Sequence, residues 1–299
     1  MSLKQRNNEI MVIDGNNLMY RAYYKFSAMK SLSDTPTGIT YGFTFILKGL
    51  ITTLYPDDVY IVFDGGRSKE RMDICPGYKD REKKEGWDGN DFYRQKGITL
   101  EILKCLGIKV IEKAKTEADD VIWLLIRKLR KHNKVTLISS DKDFNQCLSK
   151  NVNIWNPGKK CLVTTDNVKQ LFGYEAKDCV DYLILDGDKS DKIDGMPGVG
   201  PKTAIKFLEE YGSIYNYLDN PELQFKKWDR GKLEETYIRN RELIDLRLFV
   251  RKYLSYKDLV VMNDNVKEID FRELSFICAD NSIRTFTKPP FVKVFKNLL

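Results

Sequence analysis

Short apolar runs alternate with longer stretches of helical periodicity along the first half of the chain. The runs are rich in β-branched residues, as buried strands are: Ile10–Ile13, Val59–Phe63, Ile108–Ile111, Val135–Ile138 and Val152–Trp155. Apolar residues recur at helical spacing between them, in Phe43–Leu54, Ile98–Leu106 and Val121–Leu129. Strands that alternate with helices predict an α/β fold with a mostly parallel central sheet covered by helices.

Three of the predicted strands run directly into aspartate. Asp14 follows Ile10–Ile13, Asp64 follows Val59–Phe63, and Asp141 follows the fourth strand after two serines. The carboxyl ends of parallel strands form one edge of a sheet, and that edge is where α/β proteins bind their ligands. We therefore expect these carboxylates to lie close together, with Asp143 two residues further on.

Further carboxylates come from two other motifs. Glu117-Ala-Asp119-Asp120 opens an apolar helix, where acidic side chains also meet the helix dipole favourably and Thr116 is a candidate cap. Asp188 and Asp191 lie three residues apart in a Gly-rich turn and can share one face. Taken singly, each motif is explained as well by an ordinary turn or helix start.

The nine carboxylates are together stronger evidence of a functional site than any one motif, because we expect them to lie close together. Two bare carboxylates 4 Å apart repel by about 4 kcal/mol at an effective dielectric near 20, so such a cluster requires protonation or cations. Ligand sets made only of oxygen select Mg²⁺ or Mn²⁺ over zinc. Two such ions about 3.5–4 Å apart promote in-line attack at a phosphodiester. The sequence thus predicts a two-metal phosphodiesterase.

The segment from Gly195 to Ala204 has a different pattern. Gly198 and Gly200 permit a tight turn with exposed backbone amides, and Pro201 suits the first position of a helix. A helix N-terminus preceded by free amides is an anion site, to which Lys202 and Thr203 add polar groups. A plain Gly-Pro linker is the alternative, but the Gly-x-Gly-x-Lys-Thr-Ala continuation predicts a helix–hairpin–helix that grips a DNA backbone. It is not a Walker loop, because the spacing of that loop is absent.

Composition narrows the choice of function. The 50 basic residues face 43 acidic ones, and 34 acidic residues remain when the nine predicted site carboxylates are set aside, which suits a polyanionic partner. The single histidine excludes a histidine-based triad or a histidine-rich zinc site. Six widely spaced cysteines, no signal sequence and no long apolar run predict a reduced, cytoplasmic protein without a membrane span.

Changes in character along the chain suggest its division. We expect a nuclease core over 1–185, a helix–hairpin–helix region over 186–260, and a C-terminal segment over 261–299 that packs on the core. The charged and aromatic stretch at about 78–97 is predicted to be a mobile arch over the site, although a solvated loop has the same composition. The tail Lys288–Leu299 is either a packed terminus or a partner-binding segment.

In this order, the motifs resemble the flap endonuclease family of 5′ nucleases, with the bacteriophage 5′-to-3′ exonuclease and RNase H members closest in size. The resemblance covers about Ile10 to Gly212. It rests on Val-Ile-Asp14-Gly, Phe-Asp64-Gly, Arg71 to Tyr78-Lys79, Glu117-Ala-Asp119-Asp120, Ser-Asp141-Lys-Asp143, Gly187-Asp188-Lys-Ser-Asp191 and the Gly195–Ala204 hairpin. It implies a PIN-like core and a Mg²⁺-dependent phosphodiester hydrolase.

The resemblance also implies roles for individual residues. The first metal cluster would be Asp14, Asp64, Glu117, Asp119 and Asp120, and the second would be Asp141, Asp143, Asp188 and Asp191. Lys79 matches a basic residue of the family that stabilises the scissile phosphate. Arg21 and Arg71 match positions that contact phosphates. Tyr78 and Arg81 would contact nucleic acid beside the arch, and Gly198 to Thr203 would hold the duplex, often with K⁺.

Two positions depart from the family pattern. Arg81 follows Lys79 by two residues, whereas the family commonly has an arginine three or four residues after that lysine. Lys192 follows Asp191 where the family often has asparagine, which changes the local charge and removes no carboxylate.

The leading interpretation is a monomeric 5′-to-3′ exonuclease and flap endonuclease of DNA replication or repair. Its expected substrates are a 5′ flap, a nick or a free 5′ end, with RNA primers in an RNA–DNA hybrid as an additional candidate. A PIN-like RNase would lack the Gly195–Ala204 hairpin, and a non-catalytic branched-DNA-binding protein would have lost acidic ligands. The chain is too short to include a polymerase domain as well. A single-strand-binding protein and a sliding clamp are the candidate partners.

Overall fold

The central sheet has six strands. The computed structural model describes residues 8–80, 87–225, 228–266, 268–296 and 298. The strands are β1 (Glu9–Asp14), β2 (Asp58–Phe63), β3 (Lys109–Glu112), β4 (Lys134–Ile138), β5 (Val152–Asn156) and β6 (Cys161–Val163). Their order is β3-β2-β1-β4-β5-β6, and only β6, which the apolar pattern did not predict, is antiparallel to its neighbour.

Helices cover both faces of this sheet and continue beyond it. In chain order they are α1 (Gly15–Phe26), α2 (Gly38–Leu54), α3 (Lys69–Ile74), α4 (Gly89–Cys105), α5 (Ala118–Leu129), α6 (Val168–Phe172), α7 (Cys179–Asp186), α8 (Pro201–Tyr211), α9 (Ile214–Asp219), α10 (Arg230–Ile244), α11 (Leu246–Tyr253), α12 (Phe271–Asp280) and α13 (Pro289–Lys296). The predicted fold class, a mostly parallel sheet covered by helices, is confirmed.

The two faces of the sheet have separate cores because side chains of a strand alternate. Met11 and Ile13 of β1 pack with α1, α2, α4, α12 and α13 on one face. Val12 packs with α5 and α11 on the other. Both sides of β1 are therefore buried, which is why its sequence is a continuous apolar run.

Most of the C-terminal tail, one candidate for a partner-binding segment, forms α13. Its Phe291, Val292 and Phe295 are buried in the same core as α2, so these side chains are not available to a partner.

Among the described residues, no helix is both long enough and apolar enough to cross a bilayer.

A third core lies under the predicted helix–hairpin–helix. It joins α7, α8, α9 and α10 around Phe207 and Leu233, both fully buried. Between α7 and α8 runs a small hairpin, β7 (Gly187–Asp188) paired with β8 (Ile193–Asp194). Gly195 has no room for a side chain, because a Cβ there would lie 2.4 Å from the Leu185 carbonyl oxygen.

The predicted arch is partly regular structure. Its second half forms the first turns of α4, which Asp88 caps by accepting a hydrogen bond from the Asp91 amide at 3.1 Å. Residues 81–86, including the predicted nucleic-acid contact Arg81, lie outside the described residues.

Candidate active site

Carboxylates from several parts of the chain line one cleft at the carboxyl edge of the sheet. The cleft has a volume of about 740 Å³. Its acidic lining comprises Asp14, Asp64, Glu117, Asp119 and Asp141. The neighbouring strands β2, β1 and β4 are parallel, so the segments that follow them emerge side by side.

Asp14 and Asp64 each hold the start of a helix. The Asp14 carboxylate accepts a hydrogen bond from the Asn17 amide at 3.0 Å and caps α1. The Asp64 carboxylate accepts one from the Ala118 amide at 2.7 Å. Asp64, the residue after β2, therefore satisfies an amide in the first turn of α5. The cap expected from Thr116 is wrong, since that hydroxyl donates to the Ala114 carbonyl instead.

The Lys79 ammonium lies among three carboxylates. Its Nζ is 2.6 Å from Glu117 Oε2, 3.3 Å from Asp119 Oδ2 and 3.7 Å from Asp191 Oδ2. Although burial opposes its charge, Asp119 and the other carboxylates raise the pKa of Lys79 well above its ordinary value. The ammonium therefore links the two predicted metal clusters.

Arg71 and Asp120 form a buried ion pair. Arg71 is only 1% exposed and donates to both Asp120 oxygens, at 2.6 and 2.8 Å. Its Nε donates to the Leu243 carbonyl at 3.0 Å, and its guanidinium lies over the Phe249 ring. Both Asp120 oxygens are thus engaged by a buried cation, while the metal-ligand prediction for Asp120 and the phosphate-contact prediction for Arg71 stay predictions.

Tyr78 is also buried, and its predicted contact with nucleic acid stays a prediction. Its hydroxyl donates to Glu117 Oε2 at 2.9 Å. Glu117 further accepts from the Ser68 amide at 3.1 Å and forms an ion pair with Arg71 at 3.5 Å. Although burial acts against ionisation, Lys79 and Arg71 lower the pKa of Glu117. Glu117 is thus a charged residue that orients Lys79.

The second predicted cluster surrounds Asp143. Burial, and then the charges of Asp141 and Asp188, raise the pKa of Asp143 well above its ordinary value. Burial also acts to raise the pKa of Asp188, but hydrogen bonds from Ser190 and the charge of Lys142 lower it overall. Asp191 faces Lys79, so the two clusters adjoin.

The contacts of the site carboxylates indicate whether they could hold metal ions. In the described parts of the chain, no three acidic, histidine or cysteine side chains are already arranged as the ligands of one ion. One buried oxygen, Asp143 Oδ1, nevertheless has no hydrogen-bond partner. Burial and neighbouring carboxylates also raise the pKa of Asp14 and Asp64. The all-oxygen donors, the unpaired oxygen and the unbalanced negative charge fit hard divalent cations.

An aromatic wall also lines the cleft, and sequence reasoning missed its part on α1. It consists of Tyr20, Tyr24, Trp87, Phe92 and Tyr93. Phe92 stacks on Tyr20 with ring centroids 5.1 Å apart, while Tyr93 is 69% exposed. Tyr20, Tyr23 and Tyr24 have the spacing i, i+3 and i+4, which places them on one face of a helix. That spacing is the sequence signal that could have predicted an aromatic face on α1.

Arg21 lies in a smaller adjoining cleft of about 410 Å³ that Lys25 and Ser140 also line. Its Nη2 lies 3.5 Å from the Ser140 hydroxyl oxygen, and its Nε is buried without a hydrogen-bond partner. A cation with an unsatisfied donor at the edge of the acidic cleft is suited to an anionic ligand.

The loop before α8 exposes the groups expected of a backbone-gripping hairpin. Gly198 has a φ of +71°, and a Cβ on Gly198 or Gly200 would meet open space. Pro201 is the first residue of α8, Lys202 is exposed, and Thr203 is half-buried and donates its amide to the Gly200 carbonyl. These residues lie in a separate place from the carboxylate cleft, on the third core.

Fold and site together define a class of protein: an α/β enzyme core with an acidic cleft at the sheet edge and an attached helix–hairpin–helix. Residues 9–173 match the family model of the 5′-3′ exonuclease N-terminal resolvase-like domain, and residues 174–275 match that of the 5′-3′ exonuclease C-terminal SAM fold. The chain belongs to the 5′-3′ exonuclease family, which confirms the predicted family.

Individual proteins agree with this assignment. The chain is 34% identical over 261 residues to the 5′-3′ exonuclease of Aquifex aeolicus. The matched region covers 87% of this chain and 89% of that protein. The chain is similar in fold to the bacteriophage T5 5′-exonuclease with bound zinc, with a TM-score of 0.71 and 20% identity over 94% of this chain and 100% of that one. The bacteriophage T5 flap endonuclease in complex with DNA and metal ions gives a TM-score of 0.69 and 20% identity over 96% and 99%.

Proposed function

We propose that this protein hydrolyses phosphodiester bonds at 5′ ends and 5′ flaps of DNA, and that two divalent ions, Mg²⁺ or Mn²⁺, are its cofactors. The observation that carries the proposal is that carboxylates from the ends of three adjacent strands and from the Glu117–Asp119 motif line one cleft, with Asp191 3.7 Å from the Lys79 ammonium beside them. Membership of the 5′-3′ exonuclease family supports it. The metal ions and DNA bound by the similar flap endonuclease support the same substrate and cofactor here.

Two groups of carboxylates would hold the ions. The first comprises Asp14, Asp64 and Asp119, with Glu117 beside them, and the second comprises Asp141, Asp143, Asp188 and Asp191. When bound, such ions lower the pKa of a water molecule and stabilise the charge that develops on the phosphate. Asp120 is left out because Arg71 engages both of its oxygens.

Lys79 has the position of a phosphate-binding residue between the two groups. Its three carboxylate neighbours hold the ammonium in the cleft, and Glu117 is kept ionised by Lys79 and Arg71. A phosphate that enters the cleft would meet this ammonium, which would stabilise negative charge on a non-bridging oxygen. Arg21, with its unpaired buried Nε, would bind a neighbouring phosphate of the same strand.

The aromatic wall and the hairpin would hold different parts of the substrate. Bases of a single strand stack on aromatic rings without regard to sequence, so exposed Tyr24 and Tyr93 suit an unpaired 5′ strand. The glycine-rich loop at the N-terminus of α8 and the exposed Lys202 suit the backbone of a duplex. A K⁺ ion at this loop is part of the same proposal. This division of labour predicts a preference for DNA with a junction between single and double strands.

The test is cleavage of a 5′-labelled flap DNA by the wild type and by Asp119→Asn, with Mg²⁺ or with EDTA. We expect cutting near the junction that requires the metal, and a loss of at least about 100-fold in Asp119→Asn. Asp166→Asn, at an exposed acidic position in the turn before α6, is the matched control. Wild-type cutting in EDTA, or by Asp119→Asn, would contradict the proposal.

A third result would support another function. Tight binding of the flap without cleavage in either Mg²⁺ or Mn²⁺ would indicate a non-catalytic branched-DNA-binding protein. The same assay on an RNA–DNA hybrid tests whether RNA primers are substrates too.

A further inference from the structure

A buried amide joins the start of one helix to the first turns of another. Helix α2 begins at Gly38, and Thr37 before it makes no side-chain capping bond. The cap comes instead from α4, where Gln95 Oε1 accepts hydrogen bonds from the Ile39 and Thr40 amides at 2.8 and 3.2 Å. Gln95 is only 2% exposed, so neither amide has water as an alternative partner.

The other end of the same side chain continues the connection. Gln95 Nε2 donates to Asp91 Oδ2 at 2.7 Å. The orientation of the amide follows from its neighbours, because a carboxylate only accepts and backbone amides only donate. The second Asp91 oxygen accepts from Arg94 Nη2 at 2.6 Å, and Arg94 also donates to the Pro36 carbonyl.

Pro36 belongs to a small hairpin between α1 and α2. Lys30 and Pro36 form an antiparallel bridge, and the Ser31 amide donates to the Thr35 carbonyl at 2.8 Å. Its tip carries Leu32, which is fully exposed. The network that runs through Gln95, Asp91 and Arg94 therefore ties this hairpin, the start of α2 and the first turns of α4 into one unit.

The same turns of α4 build one side of the catalytic cleft. Phe92, Tyr93 and Lys96 line the cleft, while Asp91 and Gln95 are adjacent to them in the helix and face α2. Phe92 reaches Tyr20 of α1 across the cleft wall. Any rotation or shift of these turns relative to α2 would displace the aromatic wall from the carboxylates.

We propose that Gln95 is a positioning residue for the cleavage reaction. It acts through Phe92 and Tyr93, by fixing the aromatic wall of the cleft relative to α2 and the hairpin. The inference rests on the proposed nuclease function and extends it, because it makes the alignment of the DNA strand depend on a buried amide outside the acidic cluster.

Two variants of Gln95 separate its two contacts. Gln95→Met removes both. Gln95→Glu keeps an acceptor for the α2 amides, which the helix dipole favours, but cannot donate to Asp91 and brings two carboxylates together. Adding Asp91→Asn to Gln95→Glu restores the hydrogen bond in the opposite direction. The new amide at position 91 then donates to the new carboxylate at position 95. Thr44→Val is the matched control, since Thr44 is also buried in α2 and donates to the Thr40 carbonyl of its own helix.

The measurement is the single-turnover rate on flap DNA at saturating enzyme and Mg²⁺, well below the melting temperature of every variant. We expect Gln95→Met and Gln95→Glu to cut about tenfold or more slowly, because small misplacements of a substrate cost that much. Asp91→Asn with Gln95→Glu should recover most of the rate. Thr44→Val should lose thermal stability while it keeps the wild-type rate.

Three outcomes would overturn the inference: wild-type rates in both Gln95 variants, no recovery in the double variant, or an equal loss of rate in Thr44→Val. Failure of the proposed function is a separate result, since the wild type itself would then leave the flap uncut.

Discussion

The guanidinium of Arg71 meets both carboxylate oxygens of Asp120, at 2.6 and 2.8 Å, and neither side chain is accessible to solvent. The pair joins α3 to α5. Through the Leu243 carbonyl and the Phe249 ring it also reaches the end of α10 and the start of α11. The pair therefore holds α5, whose first turn carries Asp119, against α3, α10 and α11.

The first prediction concerns this ion pair. Arg71→Met should lower the free energy of unfolding by about 3–5 kcal/mol, because it leaves the Asp120 charge buried without a partner. Combining it with Asp120→Leu should recover much of that loss. Urea unfolding of the two single variants and the double variant measures the coupling. Strictly additive losses would contradict a direct interaction, and a weaker affinity for Mg²⁺ in Asp120→Asn at unchanged stability would restore Asp120 as a ligand.

The second prediction concerns the ammonium in the cleft. Lys79→Met should reduce cleavage by about 100-fold or more, because a charge that stabilises the phosphate is lost. The same variant should bind Mg²⁺ more tightly, because a cation that lies between Glu117 and Asp119 no longer competes with the ion.

The two effects of Lys79→Met are measured separately. The rate comes from flap cleavage at saturating Mg²⁺, and the affinity comes from a direct titration of the metal ion. Lys69→Met, at an exposed lysine that begins α3, should change neither. Weaker binding of Mg²⁺ by Lys79→Met would mean that the ammonium organises the ligands and does not compete with the ion.

The third prediction concerns the duplex-binding loop. Lys202→Gln should weaken binding of duplex DNA equally for all sequences and reduce the salt dependence of binding by about one counterion. Lys206→Gln, at an exposed lysine one turn further along α8, is the control. The slope of log Kd against log salt concentration is the measurement. An unchanged slope in Lys202→Gln would remove this lysine from the DNA interface.

The fourth prediction concerns the C-terminal helix. Phe295 is fully buried in the core beside α2, so Phe295→Ala should lower the stability by about 3–5 kcal/mol. Lys296→Gln, at the exposed neighbouring position, should leave the stability unchanged. Thermal unfolding of both variants tests the point. A stability of Phe295→Ala equal to that of the wild type would reopen the interpretation of this segment as a free tail.

The strands and the residues that follow them can be predicted from the amino-acid sequence alone. Continuous β-branched runs can only be stable when both sides are covered, and four of the five predicted strands lie within the observed strand bounds, while the third starts one residue early. Because parallel strands end at one edge, Asp14, Asp64 and Asp141 could be assigned to one cleft without coordinates.

The different surroundings of neighbouring residues within a motif depend on how the helices pack, and they could not be predicted from the sequence. Asp119 and Asp120 are adjacent in sequence, but successive side chains of a helix point about 100° apart. Asp119 therefore lines the cleft, while Asp120 turns inward to Arg71, which is distant in sequence. The partner of a buried charge is set by the packing of whole helices, and no local pattern records it.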